Sequence, residues 1–146
     1  MKIHELGHVV LYVTNVARSA VFYRDILGFN QIISRPGMAL FSSGRTHHEM
    51  LLIEIGGEAR AKDNVEPGLY HIGFKIGDST DELKKAYSEL KEKGVKILGS
   101  TDHTVTHSLY ILDPDGNELE LYVDVSDIWK SDPMTIVSPP RSLNLD

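Results

Sequence analysis

The feature that most constrains this chain is that it is written twice. A short apolar, β-branched run at residues 8–13 (HVVLYV) is followed by a helical pattern, and the same order returns at residues 71–76 (HIGFKI). In the first copy Val16, Ala20, Tyr23 and Leu27 fall on one helix face, and Gly28 sits where a C-terminal cap glycine belongs. Strand-like runs follow at 31–34, 39–42 and 50–55. In the second copy Leu83, Tyr87 and Leu90 share a helix face. Ser79 or Thr80 ahead of Asp81 and Glu82 marks the start of this helix, and Gly94 its end. Strands are expected at 95–98, 108–112 and 118–123, with DPDGN (113–117) as a tight hairpin turn. His8 and His71 lie 63 residues apart, Gly28 and Gly94 66, and Glu54 and Glu120 66, so one three-residue difference in the first strand–helix connection reconciles the halves.

Each half therefore reads as a βαβββ module. The predicted class is α+β: two tandem modules forming a curled, cup-like mixed sheet with the helices outside. Module one spans 4–57, a polar linker 58–68, and module two 69–124, together one domain (1–124). Residues 125–146 read as an irregular tail. A chain of 146 residues suffices for one domain with a real core. It has no cysteine, which excludes disulfide frameworks, thiol nucleophiles and cysteine zinc sites. The net charge of −6 argues against a nucleic-acid phosphate track. No stretch reads as a membrane span or a signal sequence, so the expected location is cytoplasmic.

Strand side chains alternate between faces. In the first strand Val9, Leu11 and Val13 form the helix-side set, leaving His8, Val10 and Tyr12 opposite. His71 opposes Ile72, Phe74 and Ile76, and Glu118, Glu120 and Tyr122 oppose Leu119, Leu121 and Val123. In HEMLLIEI the apolar set is read as Leu51, Ile53 and Ile55, which puts His48, Met50, Leu52 and Glu54 on the other face. If the modules join edge to edge, His8, His71, Glu120 and Glu54 face one concave interior. Such a cluster is costly unless it is paired or binds a cation. Two His and one carboxylate with open positions suit non-haem Fe(II), and two His with two carboxylates also suit Zn, Ni or Mn. The bland alternative is a set of separate exposed residues; phasing by an independent repeat favours convergence. His47 reads as a loop or outward residue, His4 as surface, and Glu118 as a residue at a turn mouth.

The segments LGHVVLYVTNVARSAVFYRDILGF, GLYHIGFKI and LYILDPDGNELELYVD resemble the vicinal oxygen chelate superfamily, which includes glyoxalase I, extradiol dioxygenases, fosfomycin-resistance and bleomycin-resistance proteins. The resemblance covers about residues 4 to 124 and implies paired βαβββ modules around a divalent metal held by His8, His71 and Glu120. RTHHEMLLIEI resembles the extradiol, catechol-cleaving branch, in which His48 would be a group beside the metal. Tyr110, ten residues before Glu120, and a loop histidine, His103 in preference to His107, would complete that site. The implied activity is Fe(II)-dependent ring cleavage of a catechol-like diol with O2, with His48, His103 and Tyr110 as catalytic groups and no organic cofactor. The competing reading resembles glyoxalase I, with Glu54 as fourth ligand to Ni or Zn; a glutathione or thiol transferase using Ni, Zn or Mn is its relative. For these, no dedicated glutathione-carboxylate clamp stands out; Arg18, Arg35 and Arg45 are candidates in principle. A metal-free binding protein is the third class, and the intact His/His/Glu set argues against it. By the same resemblance a homodimer is expected, and the apolar residues Trp129, Met134, Ile136 and Val137 point to a packing role for the tail.

Overall fold

The computed structural model describes residues 1–59 and 67–146; the rest of the expected linker, 60–66, lies outside the described residues. The chain divides into two compact units. Each follows the βαβββ order, and their strands hydrogen-bond as two separate mixed sheets.

The first unit contains β1 (Val9–Val13), α1 (Val16–Val21), β2 (Asn30–Arg35), β3 (Met38–Ser42) and β4 (Met50–Glu54), ordered β1-β4-β3-β2. β1 runs parallel to β4, and the other pairs are antiparallel. Asn15 caps α1 by accepting the Arg18 N–H at 2.8 Å. The helix does not continue regularly to Leu27 as its periodicity suggests. It widens into a π turn, Phe22–Ile26, with the Leu27 N–H bonded to the Phe22 carbonyl. This turn buries Phe22 and Tyr23, with the Tyr23 ring between those of Phe22 and Phe41, and each buried aromatic contributes about 1.5–3 kcal/mol. Pro114–Gly116 also belong to this unit. Asp115 accepts bonds from the Thr14 N–H (3.2 Å), the Thr14 hydroxyl (2.5 Å), Arg18 (2.7 Å) and the Ser19 hydroxyl (3.2 Å), fixing the β1–α1 turn.

The second unit contains β5 (His71–Gly77), α2 (Thr80–Glu92), β6 (Ile97–Asp102), β7 (Thr106–Leu112), β8 (Glu118–Asp124) and a short β9 (Arg141–Ser142), ordered β5-β8-β7-β6-β9. Ser79 and Glu82 form a reciprocal cap: the Glu82 carboxylate accepts from the Asp78 N–H and the Ser79 hydroxyl, and the Ser79 oxygen accepts the Glu82 N–H. Leu83 and Leu90 are buried, as the helix periodicity requires. β6 runs to Asp102 rather than ending near 98, and β7 begins at Thr106, so His103 lies in the turn between them. The tail departs from its irregular reading. It makes two 3-10 turns, Ile128–Lys130 and Pro133–Val137, and β9 pairs along β6. The Ser100 hydroxyl donates to the Leu143 carbonyl and Leu145 is buried, so the tail covers an otherwise open sheet edge.

One face assignment is reversed. Met50 and Leu52 are fully buried and pair in register with Val9 and Leu11, on the helix side of the sheet. Leu51 and Ile53 therefore share the face of His8, and Glu54 does not. Val10 pairs with Leu51 in the first unit as Gly73 pairs with Glu120 in the second. Counting from His8 and His71, the register counterpart of Glu120 is Leu51, three residues before Glu54. The physical reason is the hairpin between the second and third strands of each module. Arg35 pairs with Met38 across a two-residue turn, whereas Asp102 pairs with His107 across a longer one, which adds residues to the second copy after its helix.

Candidate functional site

In the second unit, alternation along β7 and β8 brings Ser108, Tyr110, Glu118 and Glu120 to one face, with His71 on β5 beside them. His71 Nε2 lies 3.2 Å from Glu120 Oε2. The other carboxylate oxygen, Oε1, accepts the hydroxyl of fully buried Ser108 at 2.6 Å and that of Tyr110 at 3.4 Å. His103 Nε2 shares a 2.9 Å hydrogen bond with the Tyr110 hydroxyl. The His103 turn is strained: Thr104, a β-branched residue, has φ of +74°, and its N–H is held by Asp102 at 2.7 Å. Burial, then the neighbouring Glu120 charge, pushes the Tyr110 phenol up to about 12. The Tyr70 phenol is also raised, chiefly by hydrogen bonding to Glu118, and its ring sits 4.7 Å from that of His71. Glu118 is thus a partner of Tyr70 and lies 3.8 Å from His71 Nδ1, rather than standing idle at a turn mouth. Gly73 leaves the space beside Glu120 open; a Cβ there would come within 3.3 Å of Oε2.

His107 is on the opposite face, 2.8 Å from the Thr80 hydroxyl at the start of α2, and has no part in the His103–Tyr110 pair.

In the first unit the exposed His8 ring stacks on His48 at 4.6 Å between centroids, and His47 lies 4.5 Å from His48 with their Nδ1 atoms 2.6 Å apart. Burial, reinforced by repulsion from His47 and His8, holds the His48 imidazole below its ordinary range. Glu54 is directed elsewhere. Its carboxylate accepts the Val16 N–H at 2.8 Å, at the positive end of α1. Glu54 thus lies on the helix face of its strand and is engaged there with α1.

The donor chemistry of the second unit fits a first-row divalent ion. An imidazole nitrogen and a carboxylate oxygen stand together, the carboxylate is held from behind by Ser108, and His71 Nδ1 is buried without a hydrogen-bond partner. Among the described residues, no three His, Asp or Glu side chains gather closely enough to hold an ion.

Comparison with known proteins gives the family. Residues 5–121 match the Glyoxalase/Bleomycin resistance protein/Dioxygenase superfamily. The chain belongs to this superfamily. A biphenyl-2,3-diol 1,2-dioxygenase of Rhodococcus globerulus is 32% identical over 82% of the chain, which spans 63% of that protein's length. Metallothiol transferase FosB of Staphylococcus haemolyticus is 31% identical over 80% of the chain and 81% of its own length. The fold of this superfamily member also matches a solved lactoylglutathione lyase from Agrobacterium tumefaciens, with a TM-score of 0.65, 23% identity, and coverage of 84% of this chain and 96% of that one.

Sequence reasoning missed Ser108, although it lies two residues before Tyr110 on the same strand face and alternation alone finds it. It also left Arg45 and Glu49 without a structural role; their contacts depend on a loop conformation that carries no period.

Among the described residues, no helix is long and apolar enough to cross a membrane.

Proposed function

We propose that the protein is a divalent-metal-dependent extradiol dioxygenase acting on a catechol-like aromatic diol, with Fe(II) held by His8, His71 and Glu120. The observation that carries this reading is the linked set His103–Tyr110–Glu120–His71, in which a phenol and an imidazole stand beside a His/carboxylate pair. When bound, the ion acidifies the two vicinal hydroxyls and brings diol and dioxygen to one centre. Ser108 fixes Glu120 Oε1, so that Oε2 stays turned toward His71. His48, held below the ordinary histidine range, is neutral at physiological pH and takes a proton from the diol. Tyr110 stays protonated and donates a hydrogen bond to a substrate oxygen, with His103 orienting its hydroxyl. The overall reaction inserts both atoms of dioxygen and opens the ring. A homodimer is part of this reading, supported by β1 and β5 each ending its own sheet, and so is a cytoplasmic setting.

Leu51 at the register position of Glu120 disfavours the four-ligand glyoxalase arrangement. Thiol transfer is the second reading, favoured by the likeness to FosB over most of that protein's length. The deciding experiment loads the protein anaerobically with Fe(II) and offers a panel of catechols with O2, beside methylglyoxal plus glutathione with Ni or Zn. A coloured ring-opened product is expected. Isomerase activity with no turnover of any diol would overturn the reading.

A further inference from the structure

Between β3 and β4 the chain forms no regular secondary structure, yet it presents His47 and His48 against His8. Residues 1–8, which carry the approach to His8, belong to no strand or helix either. Two irregular segments thus meet at the pair of rings on which the proposed chemistry depends.

A single guanidinium joins them. Arg45 Nε donates to Glu49 Oε1 at 2.9 Å and Nη1 to Glu5 Oε2 at 3.1 Å. Nη2 donates to the carbonyls of Leu6 and Gly7 at 3.3 and 3.2 Å. Arg45 therefore ties the three residues immediately before His8 to the residue immediately after His48. The Glu49 end is anchored. Its carboxylate accepts from the Ser43 N–H (2.5 Å) and the Ser43 hydroxyl (2.7 Å). Its main chain bonds both neighbouring strands, N–H to the Phe41 carbonyl and carbonyl to the Val9 N–H, each at 2.9 Å. Burial pushes the Glu49 carboxyl up, but the bonds from Ser43 and Arg45 outweigh it and hold the group below the usual carboxylate range, so it is anionic at neutral pH.

An exposed ion pair by itself contributes little. The planar five-donor fork sets Arg45 apart, because it engages two carboxylates and two carbonyls at once. A lysine, with one compact ammonium, cannot reproduce that arrangement.

We propose that Arg45 is a positioning residue that braces the His8 approach against the His47–His48 loop and so fixes the contact between the His8 and His48 rings. The proposal rests on the reading of His8 as a metal ligand and His48 as the proton-moving group. Supports of this kind, which orient ligands without touching the ion, typically change metal affinity by about 10–100-fold when removed.

The test uses the full chain as wild type, Arg45→Lys, Glu49→Gln and His8→Ala. Histidine ring signals are followed by long-range proton–nitrogen NMR on metal-free protein, and cobalt(II) affinity by titration. Arg45→Lys is expected to shift the His8 and His48 ring signals together, leave those of His71, His103 and His107 in place, and weaken cobalt(II) binding by about tenfold or more. Glu49→Gln, which weakens the other end of the brace, should move the same two signals. Arg45→Lys with wild-type ring signals and wild-type affinity overturns the proposal, as do signals that Glu49→Gln leaves untouched. If His8→Ala binds cobalt(II) like wild type, the ligand reading fails, and the ring signals of metal-free protein still decide the brace.

Discussion

Tyr110 offers a prediction whose size follows from its surroundings. Its phenol is half-buried beside the Glu120 carboxylate, and burial followed by that charge raises it from 10 to about 12. In the unfolded chain the same phenol titrates near its ordinary value. Between these two values the folded state retains a proton that the unfolded state has lost. Stability is therefore fully present below about pH 10 and falls as pH rises toward about 12. At about 1.4 kcal/mol per unit, the full shift corresponds to nearly 3 kcal/mol; solvent screening at a half-buried site reduces this to roughly 1–2 kcal/mol. The assay is ultraviolet phenolate titration of metal-free wild type and Tyr110→Phe, paired with denaturant melts across the same pH range. The chain has six tyrosines, so the difference between the two proteins isolates one. The expected result is a difference titration near 12 and a wild-type stability that declines more steeply above pH 10 than that of Tyr110→Phe. A difference curve centred near 10 would refute the reasoning, because neither burial nor Glu120 would then be acting on this phenol.

Two further predictions concern the same face. Ser108→Ala removes the hydroxyl bonded to Glu120 at 2.6 Å in a fully buried position, and should lower the unfolding free energy by about 2 kcal/mol; an unchanged denaturant midpoint would contradict the role assigned to this bond. Thr104→Gly relieves a left-handed β-branched residue, for which the strain is about 1–2 kcal/mol, and the glycine's greater chain entropy when unfolded offsets part of that gain. A net rise in stability of roughly 0.5–1 kcal/mol is expected from denaturant melts, and a fall would show that the turn is not strained.

The duplicated βαβββ order was legible because the strand runs at His71 and Glu120 alternate cleanly and HVVLYV repeats the length and leading histidine of HIGFKI. In ELELYV polar and apolar residues never share a face, and β8 follows that pattern. β4 was not legible for the opposite reason. Leu51, Leu52 and Ile53 are consecutive apolar residues, so both faces are apolar and a period of two cannot choose between them. Glu54 then tipped the assignment the wrong way, because a carboxylate can serve a helix N-terminus as well as a metal. Only the pairing of Val10 with Leu51 resolves it. The π turn at Phe22–Ile26 leaves no mark on the periodicity of α1. The displacement of β6 follows from Gly99 and Ser100, poor strand formers by composition, which are held by pairing with β7 and by the Leu143 carbonyl. The stacking of His8 on His48 and the reach of Arg45 are tertiary facts between segments far apart in sequence, and no local pattern encodes them.

In the proposed function Glu120 is the only carboxylate ligand, and Leu51 stands at its register position in the first module. Metal content after anaerobic Fe(II) loading and equilibrium dialysis of wild type, Glu54→Gln and Glu120→Gln tests it most directly. Glu54→Gln should retain wild-type iron, since that carboxylate caps α1, whereas Glu120→Gln should lose most of it. Equal loss from both variants would contradict the account and restore a four-ligand site.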